Sequence, residues 1–151
     1  MKAITPFLWF DDDLEEAIDL YTSVFPDTKV HGVMRTPDGK AMMAEFELAG
    51  QRVKAINGGP EFPHTEAFSF MVECEGQAEV DRYWEALTAG GGEEGVCGWL
   101  KDRFGLSWQI VPVEFLDMVA DGAPDQVQRT MGAMQTMRKM DVAALRAAYE
   151  G

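Results

Sequence analysis

Two side-chain amides, one carboxylate and a few aromatics carry most of the chemistry this sequence offers. Asn57 ends the alternating segment Gln51 to Asn57, just before Gly58-Gly59-Pro60, and Gln109 sits inside the stretch Val96 to Pro112. A side-chain amide both donates and accepts, which suits a carbonyl, amide or phenol on a ligand. Glu45 is the candidate general base, because partial burial would raise its pKa toward neutrality. On the solvated face of an edge strand it would be an ordinary surface carboxylate. Strand alternation adds Thr5, Phe7, Trp9 and Ser69 to the same set, and Trp99 reads equally as pocket wall or as core. Aromatic walls around a few fixed polar groups are the usual makeup of a small-molecule pocket. Cys97, between Val96 and Gly98, has no His near it in sequence, so a buried, inert thiol is preferred to a nucleophile.

Other chemistries are poorly supplied. Two cysteines (Cys74 and Cys97) and two histidines (His31 and His64) lack the spacing of a zinc site or a disulfide framework. Asp11-Asp12-Asp13 opens a helix, where acidic residues suit the positive helix start, so no metal is needed to explain it. Asp12 with Glu15, or Asp13 with Glu16, has the spacing of a capping box. Gly90-Gly91-Gly92 follows a helix and so acts as a stop, whereas a nucleotide cradle needs glycines between strand and helix. No cofactor is expected.

The balance of 13 basic against 26 acidic residues, a net charge of −13, opposes binding to nucleic acid or an anionic membrane surface. No apolar run approaches the roughly 18 residues of a membrane span. Met1 to Phe10 lacks the features of a secretory leader, and a cytoplasmic location is expected.

The elements that must position these residues come in a repeated order. Ile4 to Phe10 reads as a strand. The following helix has Leu14, Ala17, Ile18, Tyr21 and Phe25 on one stripe and is stopped by Pro26. Strands are read at Lys29 to Arg35, Met42 to Leu48 and Gln51 to Asn57. After a linker the pattern restarts with a strand at Ala67 to Cys74. A helix over Gly76 to Ala89 follows, with Val80, Tyr83, Trp84 and Leu87 inward. Val96 to Pro112 is then a hairpin turning at Asp102 to Gly105, where glycine admits the positive φ of a tight turn. An offset of 62 maps Phe10 onto Val72 and Tyr21 onto Tyr83, while a shift of 52 maps Asn57 onto Gln109. The change of offset implies shorter loops or a shortened strand after the second helix. From Val113 the chain reads as helical: a short piece at Glu114 to Val119, a helix from Pro124 through Arg138, and a last helix capped by Asp141. Methionines 131, 134, 137 and 140 form a stripe that is core, a subunit contact or an adaptable binding surface.

Strand, helix and three strands, done twice, resembles the vicinal oxygen chelate superfamily, the glyoxalase and bleomycin-resistance fold. Within it, Ile4-Thr5-Pro6-Phe7-Leu8-Trp9-Phe10, the Glu15-Glu16-Ala17 helix, Asn57-Gly58-Gly59-Pro60 and Cys97-Gly98-Trp99-Leu100-Lys101-Asp102 resemble the PhnB-like family, often labelled 3-demethylubiquinone-9 3-methyltransferase. The resemblance implies an α+β fold of two βαβββ modules plus a C-terminal helical tail. Module one would be residues 1–60, the linker 61–66, module two 67–112 and the tail 113–151. A ferredoxin-like sandwich, with two strands after the first helix, ranks below. In metal-using relatives each module gives one ligand early in its first strand and one in its last. Carried over by position, these fall on Thr5, Ala67, Asn57 and Gln109, none a His, Cys or carboxylate, so no metal is expected. The expectation is a small-molecule-binding protein, possible as an enzyme using Glu45, Asn57 and Gln109. The alternatives are a sequestering protein of the bleomycin-resistance type and the methyltransferase of the family label. Common assembly in the superfamily, exposed sheet edges and the apolar tail lead us to expect a homodimer.

Overall fold

The structure is a computed structural model describing residues 4–151, so the first three residues of the Met1 to Phe10 stretch lie outside the described residues. The chain divides into two units, residues 1–64 and 65–151.

The first unit runs β1 (Phe7–Phe10), α1 (Leu14–Val24), β2 (Lys29–Arg35), β3 (Ala41–Leu48) and β4 (Gln51–Asn57). Its sheet has the order β1-β4-β3-β2, with β1 parallel to β4 and the other neighbours antiparallel. Alternation gives this sheet two faces. Leu8, Phe10, Ala44, Phe46, Leu48, Val53 and Ala55 are buried, as are Leu14, Ala17, Ile18, Tyr21 and Phe25 on the α1 stripe. Each large side chain so buried stabilises the unit by about 1.5–3 kcal/mol.

The start of α1 differs from the expected capping box. Asp13 occupies the cap position but makes no side-chain cap bond, and its φ of −110° and ψ of 19° are not the extended geometry such a cap needs. Instead the Leu14 N–H donates to Asn57 Oδ1 at 3.0 Å, so the cap comes from β4, distant in sequence.

The second unit repeats the pattern with β5 (Ser69–Cys74), α2 (Gly76–Thr88), β6 (Glu93–Glu94), β7 (Trp99–Lys101) and β8 (Ser107–Pro112), in the order β5-β8-β7-β6. β6 has 2 residues where β2 has 7, so a shortened strand contributes to the change of offset between the repeats. Three strands follow each helix, which sets the ferredoxin-like alternative aside. Cys74, Leu100, Trp108 and Ile110 are buried along with Val80, Tyr83, Trp84 and Leu87 of α2.

Three further helices belong to this unit: α3 (Val113–Asp121), α4 (Pro124–Met134) and α5 (Val142–Glu150). The α4 helix ends at Met134, short of the Arg138 expected from the sequence, and the chain turns there. Val111, Phe115, Met140 and Leu145 form a buried cluster against which Met131, Met134 and Met137 pack, so the methionine stripe is core. Gln77 of α2 holds the last helix, accepting from Val142 N–H at 2.8 Å and donating to Met140 O at 3.1 Å. The Cys97 and Gly98 N–H groups donate to the Met137 and Arg138 carbonyls, both at 2.8 Å.

Candidate functional site

In the first unit, register fixes which side chains share the sheet face turned away from α1. Trp9, Ile56, Met43 and Met34 line up across the four strands, and Phe7, Lys54, Glu45 and Gly32 form the next row. Trp9 is held firmly: its indole N–H donates to Gly59 O at 2.7 Å, and its ring meets Phe62 edge-on at 5.0 Å. A Cβ on Gly58 would lie 2.2 Å from that indole, so glycine is required there. Phe7 is exposed, and Thr5, just before the strand, is half-buried. A shallow depression of about 360 Å³ runs along β2 and β3, with His31, Met34, Met43, Glu45 and Lys54 among its lining. Glu45 is ion-paired with Arg52 and with Lys54.

Asn57 lies on the other side of this sheet. It pairs with Phe10, which is buried, and paired residues share a face. Both ends of its amide are engaged, Oδ1 by Leu14 N–H and Nδ2 by Ala41 O, each at 3.0 Å. The structure therefore does not bring Asn57 together with Phe7, Trp9 and Glu45. The reason is register. Phe10 faces Asn57, but its repeat counterpart Val72 faces Ile110, so the counterpart of Gln109 is Ile56. The shift of 52 is one residue out, and a slip of one residue turns a side chain to the opposite face.

In the second unit the face away from α2 carries two rows. One is Met71, Gln109 and Trp99; the other is Ser69, Ser107, Lys101 and Glu93. Gln109 Nε2 donates to Ser69 Oγ at 2.8 Å, so two of the expected residues are joined directly, with Trp99 beside them on β7. A hollow of about 160 Å³ is lined by Glu66, Glu93, Trp99, Lys101 and Ser107, among others. Lys101 Nζ reaches Glu66 Oε1 at 2.6 Å, and that hydrogen bond holds the Glu66 carboxyl below its usual range. Ser107 is 1% exposed and its hydroxyl has no hydrogen-bond partner among the described residues. Lys101 and Ser107 were missed in the sequence. The available signal was alternation, which sets Ser107 on the Gln109 face and Lys101 on the Trp99 face.

The hairpin that presents these residues is built on Asp102. Its buried carboxylate accepts from Phe104 N–H at 2.9 Å, Leu106 N–H at 3.1 Å and the Trp108 indole N–H at 2.9 Å. Cys97 is half-buried with a φ of 58° in the loop that grips the tail. Cys74 is fully buried, and burial pushes its thiol up to about 12.

The four positions onto which the resemblance carries metal ligands, Thr5, Ala67, Asn57 and Gln109, do not fit a divalent cation. Ala67 has no donor, the Asn57 amide is engaged on the helix side, and Thr5 and Gln109 offer neutral oxygens where charged or imidazole donors are the rule. No step through a metal follows from these residues.

Among curated proteins, none matches the chain. Among solved structures, a PhnB protein from Bacillus cereus is 30% identical, covering 74% of this chain and 99% of its own, with a TM-score of 0.68. Protein PA1353 from Pseudomonas aeruginosa is 20% identical over 74% of this chain and 98% of its own, with a TM-score of 0.58. The fosfomycin resistance protein FosX from Listeria monocytogenes, solved with Mn(II) and sulfate, is 14% identical over 74% of this chain and 90% of its own, with a TM-score of 0.54. The last two likenesses show the fold alone. The family described as 3-demethylubiquinone-9 3-methyltransferase matches residues 2–111, leaving the helical tail outside the match. With both βαβββ units inside that match, this chain belongs to the PhnB-like 3-demethylubiquinone-9 3-methyltransferase family, on the vicinal oxygen chelate fold.

Proposed function

We propose that this protein binds a small organic molecule, without a metal, on the face of the second unit's sheet turned away from α2. The observation that carries this reading is the Gln109–Ser69 hydrogen bond at 2.8 Å, set beside Trp99 and Met71 on the sheet face turned away from α2. A fixed polar pair beside an aromatic wall orients a ligand group, and Met71 is 50% exposed. The first unit carries a separate face of similar makeup, with Phe7, Trp9 and Glu45 on its sheet and Thr5 just before it, while Asn57 holds α1 in place instead.

Binding without turnover is the second reading, and Glu45 favours it. Both carboxylate oxygens are engaged within the sheet, Oε1 by Arg52 and Oε2 by Lys54, so neither is left free to meet a substrate. The methyltransferase label belongs to the family; nothing at the Gly90-Gly91-Gly92 stop offers a nucleotide cradle, and we propose that methyl transfer is not the activity. The free thiols Cys74 and Cys97 suit the reducing cytoplasm.

The test is a small-molecule screen by NMR on the wild type and on Gln109→Ala. Hits that shift the Ser69 and Trp99 resonances and weaken at least about fivefold in the variant support the reading, the loss of one hydrogen bond being worth about 1 kcal/mol. Hits that ignore the variant refute it. Calorimetry with S-adenosylmethionine and with Mn(II) is expected to show no heat, and saturable heat from either would overturn the corresponding part.

A further inference from the structure

We propose that Lys101 and Ser107 form a carboxylate-binding end of the second unit's site, that the ligand is a small planar acid, and that Glu66 is an internal carboxylate which this ligand displaces. The inference rests on the small-molecule reading above and adds the substrate class to it.

The argument begins with the buried hydroxyl. Ser107 Oγ is sequestered without a partner among the described residues in a hollow of about 160 Å³, a situation that costs free energy unless a ligand completes it. Its neighbours across the sheet are Ser69 on one side and Lys101 on the other. Ser69 Oγ already accepts from Gln109, which leaves its own proton to give. Two hydroxyl donors and an ammonium therefore lie in one row, and an anion with two acceptor oxygens matches them.

A cationic ligand fits less well. Glu66 is already bound to Lys101, and Glu94 Oε1 accepts from the Trp84 indole N–H at 2.8 Å. Glu93, opposite Lys101 on β6 and exposed, is the one opposing charge in the row. Glu66 itself shows that Lys101 accepts a carboxylate at 2.6 Å, and its side chain is 64% exposed, so it can leave into water at little cost. One carboxylate then replaces another on the same ammonium. Trp99 and Met71, in the adjoining row, give the planar part of the ligand an apolar wall.

The experiment titrates the full chain with benzoate, benzamide and benzylamine, which share a ring and differ in charge, and reads the Trp99 indole N–H together with the Ser69 and Gln109 resonances. Benzoate is expected to bind about tenfold more tightly than benzamide, the difference one charge-assisted hydrogen bond makes. Lys101→Met should erase that preference, Ser107→Ala should weaken benzoate about fivefold, and Glu66→Gln should tighten it about threefold. Equal affinity for benzoate and benzamide, or a preference for benzylamine, overturns the inference and leaves the small-molecule reading standing. Weaker benzoate binding in Glu66→Gln overturns the displacement. Silence of all three resonances toward all three probes at roughly 20 mM, a very weak affinity, overturns both readings.

Discussion

At the scale of single residues, two buried polar side chains on one hairpin have opposite prospects. Asp102 satisfies three donors, so Asp102→Ala strands the Trp108 indole N–H and two backbone N–H groups inside the unit. We expect it to cost about 3–5 kcal/mol in urea unfolding, since each stranded buried donor costs about 1–3 kcal/mol. Ser107 satisfies none, so Ser107→Ala should leave stability unchanged or raise it by about 1 kcal/mol while it weakens ligand. Stability and binding would then separate at one position, as they do where a site is kept polar for function. Cys74 sets an alkaline limit. Its thiol is raised from the usual 9.0 to about 12, first by burial and next by Glu79. A folded pKa above the unfolded one means the contribution is whole below pH 9.0 and disappears as pH climbs to about 12. Wild type should therefore lose stability relative to Cys74→Ala across that window, measured by chemical denaturation at stepped pH. None of these three environments was legible in the sequence. The alternation that places Ser107 was visible, but a hydroxyl left without a partner is a fact of packing.

At the scale of elements, the strands and helices were largely readable because their signals are local. Leu14, Ala17, Ile18, Tyr21 and Phe25 recur at helical spacing and all are buried. The strand at Lys29–Arg35 ends at its Pro-Asp-Gly turn as expected. What escaped was pairing between distant segments. The cap on α1 comes from Asn57, 43 residues away, so a local Asp–Glu spacing pointed to the wrong acceptor. The face of Asn57 escaped for the same reason, since register is set by the partner strand and one residue decides it. The last helix shows the same kind of distant support. Its own cap, Asp141, was legible and accepts from Ala144 N–H at 2.9 Å. Its second anchor, Gln77 on α2, lies 65 residues from the Val142 it binds. Gln77→Ala should cost about 1–2 kcal/mol, and hydrogen exchange should show the loss confined to Val142 through Leu145.

At the scale of the whole molecule, charge and exposed apolar surface pull in opposite directions. The net charge of −13 keeps copies apart at low salt. Val30 and Met34 on the β2 edge strand, and Phe7 on the β1 edge, stay more than 40% exposed, at 45%, 49% and 53%. A homodimer that covers such edges is our proposal, and light scattering should give twice the chain mass at micromolar concentration, more firmly as salt screens the repulsion. A chain-mass species at all salt concentrations would reject it. The tail outside the family match adds one further consequence. Among its contacts with the loop before Trp99 are two backbone hydrogen bonds, Cys97 to Met137 and Gly98 to Arg138. Drift in the Met137 and Arg138 side chains leaves both grips untouched, whereas one residue inserted or lost between Gln135 and Asp141 would throw both out of step and carry Trp99 with them. On the tail side that connection is governed by length, while on the loop side Gly98 must stay glycine, with a φ of 80° and the Ile110 carbonyl 2.9 Å from where a Cβ would lie.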